Sequence, residues 1–174
     1  MPRPVATDTD GVPGQPRPRL SLQIQHDPAA GELPVDRARL RRWVSSALER
    51  DASLVLRLVG AEEGRALNGQ YRSKARPTNV LTFDYQQSPT VEADIVICLP
   101  VVRSEAREQR KRVADHLAHL VIHGVLHAHG YDHEDDAMAG QMEARETRLL
   151  ARYRIADPYR TTAATAKPRR PRPR

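Results

Sequence analysis

The chain is poor in the residues that staple, stack or span. It holds one cysteine, Cys98, in 174 residues. That excludes an internal disulfide and suits a reducing compartment. Cys98 lies in an apolar run and reads as a small buried hydrophobe rather than a reactive thiol. Aromatics are scarce. One Phe, one Trp and five Tyr offer little for a stacking platform on single-stranded nucleic acid. No apolar run approaches the ~20 residues of a membrane span. The N-terminus lacks the hydrophobic core of an export signal. The expectation is a cytoplasmic protein with no membrane partner. Carboxylates do not gather in the second cluster that a two-metal nuclease needs.

Charge is present but unevenly placed. The formal net charge is +6, and residues 161–174 carry Lys167, Arg169, Arg170, Arg172 and Arg174 with no acid. The body from 19 to 160 is therefore close to neutral, and the basic end has two readings. It binds nucleic acid or another polyanion, or it is a solvated tail. Residues 1–18 hold five of the fourteen prolines and almost no large apolar side chain. Both ends read as disordered, which leaves one domain over 19–160.

Within that domain the patterns alternate between strand and helix. Leu20 to Gln25 repeats apolar and polar at period two, the mark of a half-buried strand. Asp36 reads as the cap of a helix to about Asp51, with Leu40, Trp43, Val44 and Leu48 inward. Leu54–Val59 is a second strand. A short helix covers 61 to about 71, and residues 72–77 form a basic loop. Strands follow at 79–85 and at 91–99, where the Asp94–Cys98 run predicts burial on both faces. Glu105 to about His129 reads as one long helix, charged first and then strongly apolar. A last helix runs from about 135 to 154, with Met138, Met142, Leu149 and Leu150 inward. The sum is an α+β domain: one mixed four-stranded sheet, helices over one face, and a long central helix packed on it.

That helix carries the chemistry, in His123-Gly-Val-Leu-His127-Ala-His-Gly130-Tyr-Asp-His133. Residues four apart on a helix lie about 40° apart around its axis, so His123 and His127 share a face. Gly130 can take the left-handed conformation that ends a helix and reverses the chain. His133 then returns as a third ligand. Three imidazoles suit one zinc ion with an open fourth position, the catalytic pattern. The spacing is that of the zinc-protease helix H-E-x-x-H-x-x-G-x-x-H. The protease's general base, however, is replaced by Gly124. His129 lies about 240° from His123 and is not expected on this metal. His119, one turn before His123, shares the metal face, with a supporting or substrate role as one reading and a satisfied polar residue as the other. His116 and His26 read as ordinary structural histidines.

These residues resemble the signature of the YbeY family of bacterial endoribonucleases, also called rRNA maturation factors. Leu67-Asn68, Tyr71-Arg72, Pro77-Thr-Asn-Val-Leu-Thr-Phe83 and Ala93-Asp94-Ile95 are similar to further family segments. The resemblance covers about residues 19–157. It implies one zinc per chain held by His123, His127 and His133, and a compact α+β fold. It also implies cleavage of single-stranded RNA in small-subunit rRNA 3′-end maturation and ribosome quality control, with partners on the small ribosomal subunit. Arg72 takes the place of the family's functional arginine near the metal. Asn79, Thr82 and Ala93 depart from the usual Asp, Ser and Gly, and the first removes a charge near the substrate groove.

The chemistry expected from such a site is a zinc-activated water, or a zinc-polarised phosphate attacked by the RNA's own 2′-hydroxyl. Arg72 would bind the phosphate, since guanidinium matches its geometry with two parallel donors. Asp132 would orient a ligand histidine, or would only shape the turn. Lys74 and Arg76 would line an RNA groove with Arg72, and Arg107, Arg110, Lys111 and Arg112 are further candidates. Two rivals stand beside this reading: a zinc protease, opposed by Gly124, and a non-catalytic zinc-containing ribosome assembly factor.

Overall fold

The computed structural model describes residues 14–72, 79–132 and 134–160, the side chains of 71 and 72 excepted. Four strands form one sheet: β1 (Leu20–His26), β2 (Ala52–Val59), β3 (Val80–Gln86) and β4 (Val91–Cys98). Their order is β1-β2-β4-β3. β1 and β2 pair in parallel, as do β2 and β4, while β3 runs antiparallel along β4. The sheet is mixed, as the sequence predicts. β1 alternates half-buried and exposed residues along its length, the period-two pattern of an edge strand with one covered face.

Five α-helices complete the fold: α1 (Arg37–Ser46), α2 (Ala61–Arg72), α3 (Leu99–Glu108), α4 (Val113–Ala128) and α5 (Asp136–Arg152). Asp36 caps α1, its carboxylate accepting from the Arg39 N–H at 2.7 Å. α1 buries Leu40, Trp43 and Val44. It ends at Ser46, earlier than the expected Asp51, and Leu48 packs from the following turn.

Two expectations need correction in the second half. The predicted helix from Glu105 to His129 is two helices. Arg110 takes φ +53, and the Lys111 N–H closes back on the Ala106 carbonyl at 2.8 Å, which stops α3 and turns the chain before α4. α3 itself begins earlier than expected. Pro100, just after the expected strand at 91–99, sits in the first turn of a helix, where its missing N–H costs nothing. Met138 is the other correction. It faces solvent at 37% exposure, while Met142, Leu149 and Leu150 are buried as expected.

α4 is the hub. Ten of its sixteen residues are buried, and it packs against α1, α3, α5, β3 and β4. A helix apolar nearly all round belongs in the centre of a domain. Each fully buried Leu or Ile on it contributes about 1.5–3 kcal/mol. The main core lies between α4 and one sheet face, made by Leu54, Leu56, Leu58, Ile95 and Ile97. Val59, Leu81, Val96 and Cys98 point the other way, under Leu67 of α2. Helices therefore cover both faces rather than one, which explains why β4 is apolar at every position from Ile95 to Cys98.

Candidate metal centre

Gly130 ends α4 as its place in the motif requires. It has φ +103, and the Tyr131 N–H reaches back to the Leu126 carbonyl at 3.3 Å. The reversal brings the Tyr131 carbonyl over His127, whose Nδ1–H donates to it at 2.8 Å. That bond fixes the tautomer and leaves Nε2 of His127 for a ligand.

His123 is held in the same way by another element. Its Nδ1–H donates to Glu146 Oε1 at 2.6 Å. Glu146 stands on α5 and is fully buried. Its other oxygen accepts from His119 Nε2 at 3.1 Å and from the Tyr159 hydroxyl. Burial pushes the Glu146 carboxyl up, but hydrogen bonds from His119, His123 and Tyr159 outweigh it and bring the pKa down to about 2. Burial and the neighbouring Glu146 charge in turn raise the Tyr159 phenol. A buried anion behind an imidazole raises its basicity and aims its far nitrogen.

The ligand atoms of His119, His123 and Glu146 all lie within 4.8 Å of one another, close enough to hold a metal ion. The hydrogen bonds among them show a second use for the same cluster. With Nδ1 engaged by Glu146, His123 would meet a metal through Nε2. The donor set, imidazoles backed by a carboxylate and a carbonyl, fits a borderline-soft divalent ion.

Several predicted site residues fall outside this description. His133, Lys74 and Arg76 lie outside the described residues, as does the side chain of Arg72, the last residue of α2. Asp132 is half-buried in the loop after α4. His129 is buried away from the centre, as expected. Its Nδ1–H donates to the Val125 carbonyl at 2.7 Å, and Nε2 accepts from the Glu49 N–H at 3.3 Å. His116 donates from Nε2 to Glu105 at 2.7 Å, and His26 pairs with the Gly31 carbonyl at 2.6 Å.

Gly124 gains a structural reason. A Cβ there would sit 2.7 Å from Ile95 Cγ2. The position that carries a protease's glutamate faces the sheet at close range, and no side chain fits without displacing that of Ile95. Glu146 and Tyr159 are the site residues the sequence pattern misses. Glu146 left one trace, as a lone acid four residues from Met142 and three from Leu149 on an inward stripe. Tyr159 left none.

Fold and site define the class: an α+β domain whose buried central helix presents a histidine centre fit for a metal ion. The chain belongs to the YbeY endoribonuclease family, whose model, described as Endoribonuclease YbeY, matches residues 28–154. Endoribonuclease YbeY of Cupriavidus pinatubonensis is 53% identical over 162 residues, covering 90% of this chain and 79% of its own. Its counterpart in Methylibium petroleiphilum is 48% identical over 143 residues, covering 82% and 96%. The solution structure of TM1509 from Thermotoga maritima superposes with a TM-score of 0.52 at 27% identity, covering 80% of this chain and 99% of that one. No helix among the described residues is long and apolar enough to cross a membrane.

Proposed function

We propose that this chain is a zinc-dependent, single-strand-specific endoribonuclease of the cytoplasm. It acts in small-subunit rRNA 3′-end maturation and ribosome quality control, with the small ribosomal subunit as its partner. One observation carries the reading. The two motif histidines on α4 each have Nδ1 tied to a fixed acceptor, Glu146 Oε1 at 2.6 Å and the Tyr131 carbonyl at 2.8 Å. That is the preparation a catalytic imidazole centre needs.

His123, His127 and His133 hold the ion in this reading. Zinc bound there supplies Lewis-acid chemistry at a phosphate and a lowered pKa for water. The chain supplies the rest. Glu146 keeps His123 in one tautomer, and the Gly130 reversal does the same for His127 through Tyr131. Arg72 binds the scissile phosphate and offsets charge as it develops. The attacking oxygen belongs to water or to the RNA's own 2′-hydroxyl. A single 2′-deoxy residue at the cut separates the two, because it stops only the second route.

The test is cleavage of a labelled single-stranded rRNA 3′ segment by protein of known zinc content, beside its His127→Ala variant. Cutting by wild type alone, with the variant folded, supports the reading. Equal cutting by both removes the histidine centre from the activity. Zinc binding without any cutting favours the assembly-factor reading.

A further inference from the structure

The Gly130 reversal carries one half of the metal centre and gets little support from its own helix. It stands past the last turn of α4, where carbonyls lose their intrahelical donors. Yet the Tyr131 carbonyl has to stay on His127 Nδ1 if that ring is to keep one tautomer. Gly130 permits the turn at φ +103, but it has no side chain with which to fix it. The support comes from a segment 80 residues away in sequence.

That segment is the turn between α1 and β2, and it grips both sides of Gly130. The Glu49 N–H donates to His129 Nε2 at 3.3 Å. The Arg50 guanidinium donates to the His129 carbonyl at 3.0 Å. The Glu49 carboxylate accepts from the Tyr131 hydroxyl at 2.7 Å. The first two bonds hold the residue before Gly130, and the third holds the residue after it.

The gripping turn is itself anchored. Ala47 and Leu48 sit in the main core. The Asp51 carboxylate accepts from the Arg19 N–H at 2.8 Å, and its carbonyl accepts from the Val91 N–H at 2.8 Å. Those bonds tie the turn to the starts of β1 and β4, the strands on either side of β2. Of the three contacts, only the carboxylate's reaches the residue whose carbonyl holds His127. The Tyr131 ring packs against the main core, so the hydroxyl bond fixes the tip of a side chain already placed. A hydrogen bond to an ionised acceptor is about twice as strong as a neutral one.

We infer that Glu49 is a positioning residue of the metal centre: by holding the Tyr131 hydroxyl it keeps the Tyr131 carbonyl on His127 Nδ1, and so keeps His127 Nε2 presented to the ion. The inference deepens the zinc reading proposed above and rests on His127 as a ligand. It gives each histidine of α4 a carboxylate holder. Glu146 holds His123 directly, and Glu49 holds His127 through Tyr131. Arg145, next to Glu146 on α5, lies 2.8 Å from the same Glu49 oxygen. Adjacent residues of one helix therefore reach both holders.

The experiment measures the zinc affinity of the full chain by competition with a fluorescent chelator, and the imidazole NMR signals of His127 in the same protein without metal. Glu49→Ala and Tyr131→Phe should each weaken zinc binding about ten-fold, the scale of one hydrogen bond to a charged acceptor. In both metal-free variants His127 should show two tautomers, where wild type shows the Nδ1–H form alone. Combining the changes should cost no more than the larger single one, because both remove the same bond. Glu49→Gln keeps an acceptor for the hydroxyl and loses only a partly exposed ion pair with Arg145, which contributes little. It should stay within about three-fold of wild type. A lowered melting temperature in Glu49→Ala, beside wild-type zinc affinity and a single His127 tautomer, would overturn the inference, since Glu49 would then serve the fold alone. Neither readout uses RNA. Variants that behave as expected in a protein that cuts no RNA sink the endoribonuclease reading and leave Glu49 its role. Equal zinc affinity in all variants of a protein that does cut RNA sinks the role of Glu49 alone, and a wild type that takes no zinc sinks both.

Discussion

Glu146 is a buried anion that touches two imidazoles and a phenol. Its charge holds His123, so Glu146→Gln should keep the shape and lose the grip. Zinc affinity should fall about 10–100-fold, the usual cost of removing such a partner. Competition with a chromogenic chelator measures this, and unchanged affinity would remove Glu146 from the centre. His129 makes a different prediction. Burial lowers its pKa from the ordinary 6.5 despite the Val125 carbonyl. The unfolded chain then binds more protons than the folded one as pH falls below 6.5, so stability is full above that value and declines below it. His116 adds in the same direction. Thermal midpoints recorded from pH 8 to 5 should fall on the acid side. His129→Gln should flatten the slope, and an identical slope would exclude that residue as the source.

The seam between α4 and the sheet depends on Gly124. A methyl at that position meets Ile95 Cγ2 at 2.7 Å, so Gly124→Ala should destabilise by about 1–3 kcal/mol. Pairing it with Ile95→Ala should cost less than the two single changes together, because the second opens the space the first requires. Denaturant unfolding of the four proteins decides, and strict additivity would show that the clash relaxes elsewhere. This seam also marks what the sequence could tell. The sheet was legible because strand residues alternate or run apolar, and α4 because Val113 to Leu126 is apolar all round. The break between α3 and α4 was not. It lies in Gln109–Arg112, where Arg110 adopts a left-handed turn that no glycine announces. The centre was half legible. His123 and His127 follow from helical spacing, whereas Glu146 comes from a helix that only the tertiary fold brings against them.

The candidate metal centre joins elements that also share the main core. In the proposed reading α4 supplies His123 and His127, and α5 supplies Glu146 behind His123. The loop after Gly130 supplies the Tyr131 carbonyl, and the Tyr131 hydroxyl donates to Glu49 beyond α1 at 2.7 Å. An ion that binds only the folded arrangement stabilises all of them together. With free zinc at about 100 times its dissociation constant, that linkage is worth about 2.7 kcal/mol. For a domain of this size each kcal/mol moves the melting temperature by about 2–4 °C. Chelation should therefore lower the midpoint by about 5–11 °C in calorimetry, and added zinc should restore it. His127→Ala should begin near the chelated value and respond to neither treatment. Glu146→Gln should respond, but only at higher zinc, because it keeps the ligands and loses the anchor. A wild-type midpoint that chelation leaves in place would mean that the three elements are held by packing alone, and that the histidines of α4 carry no ion.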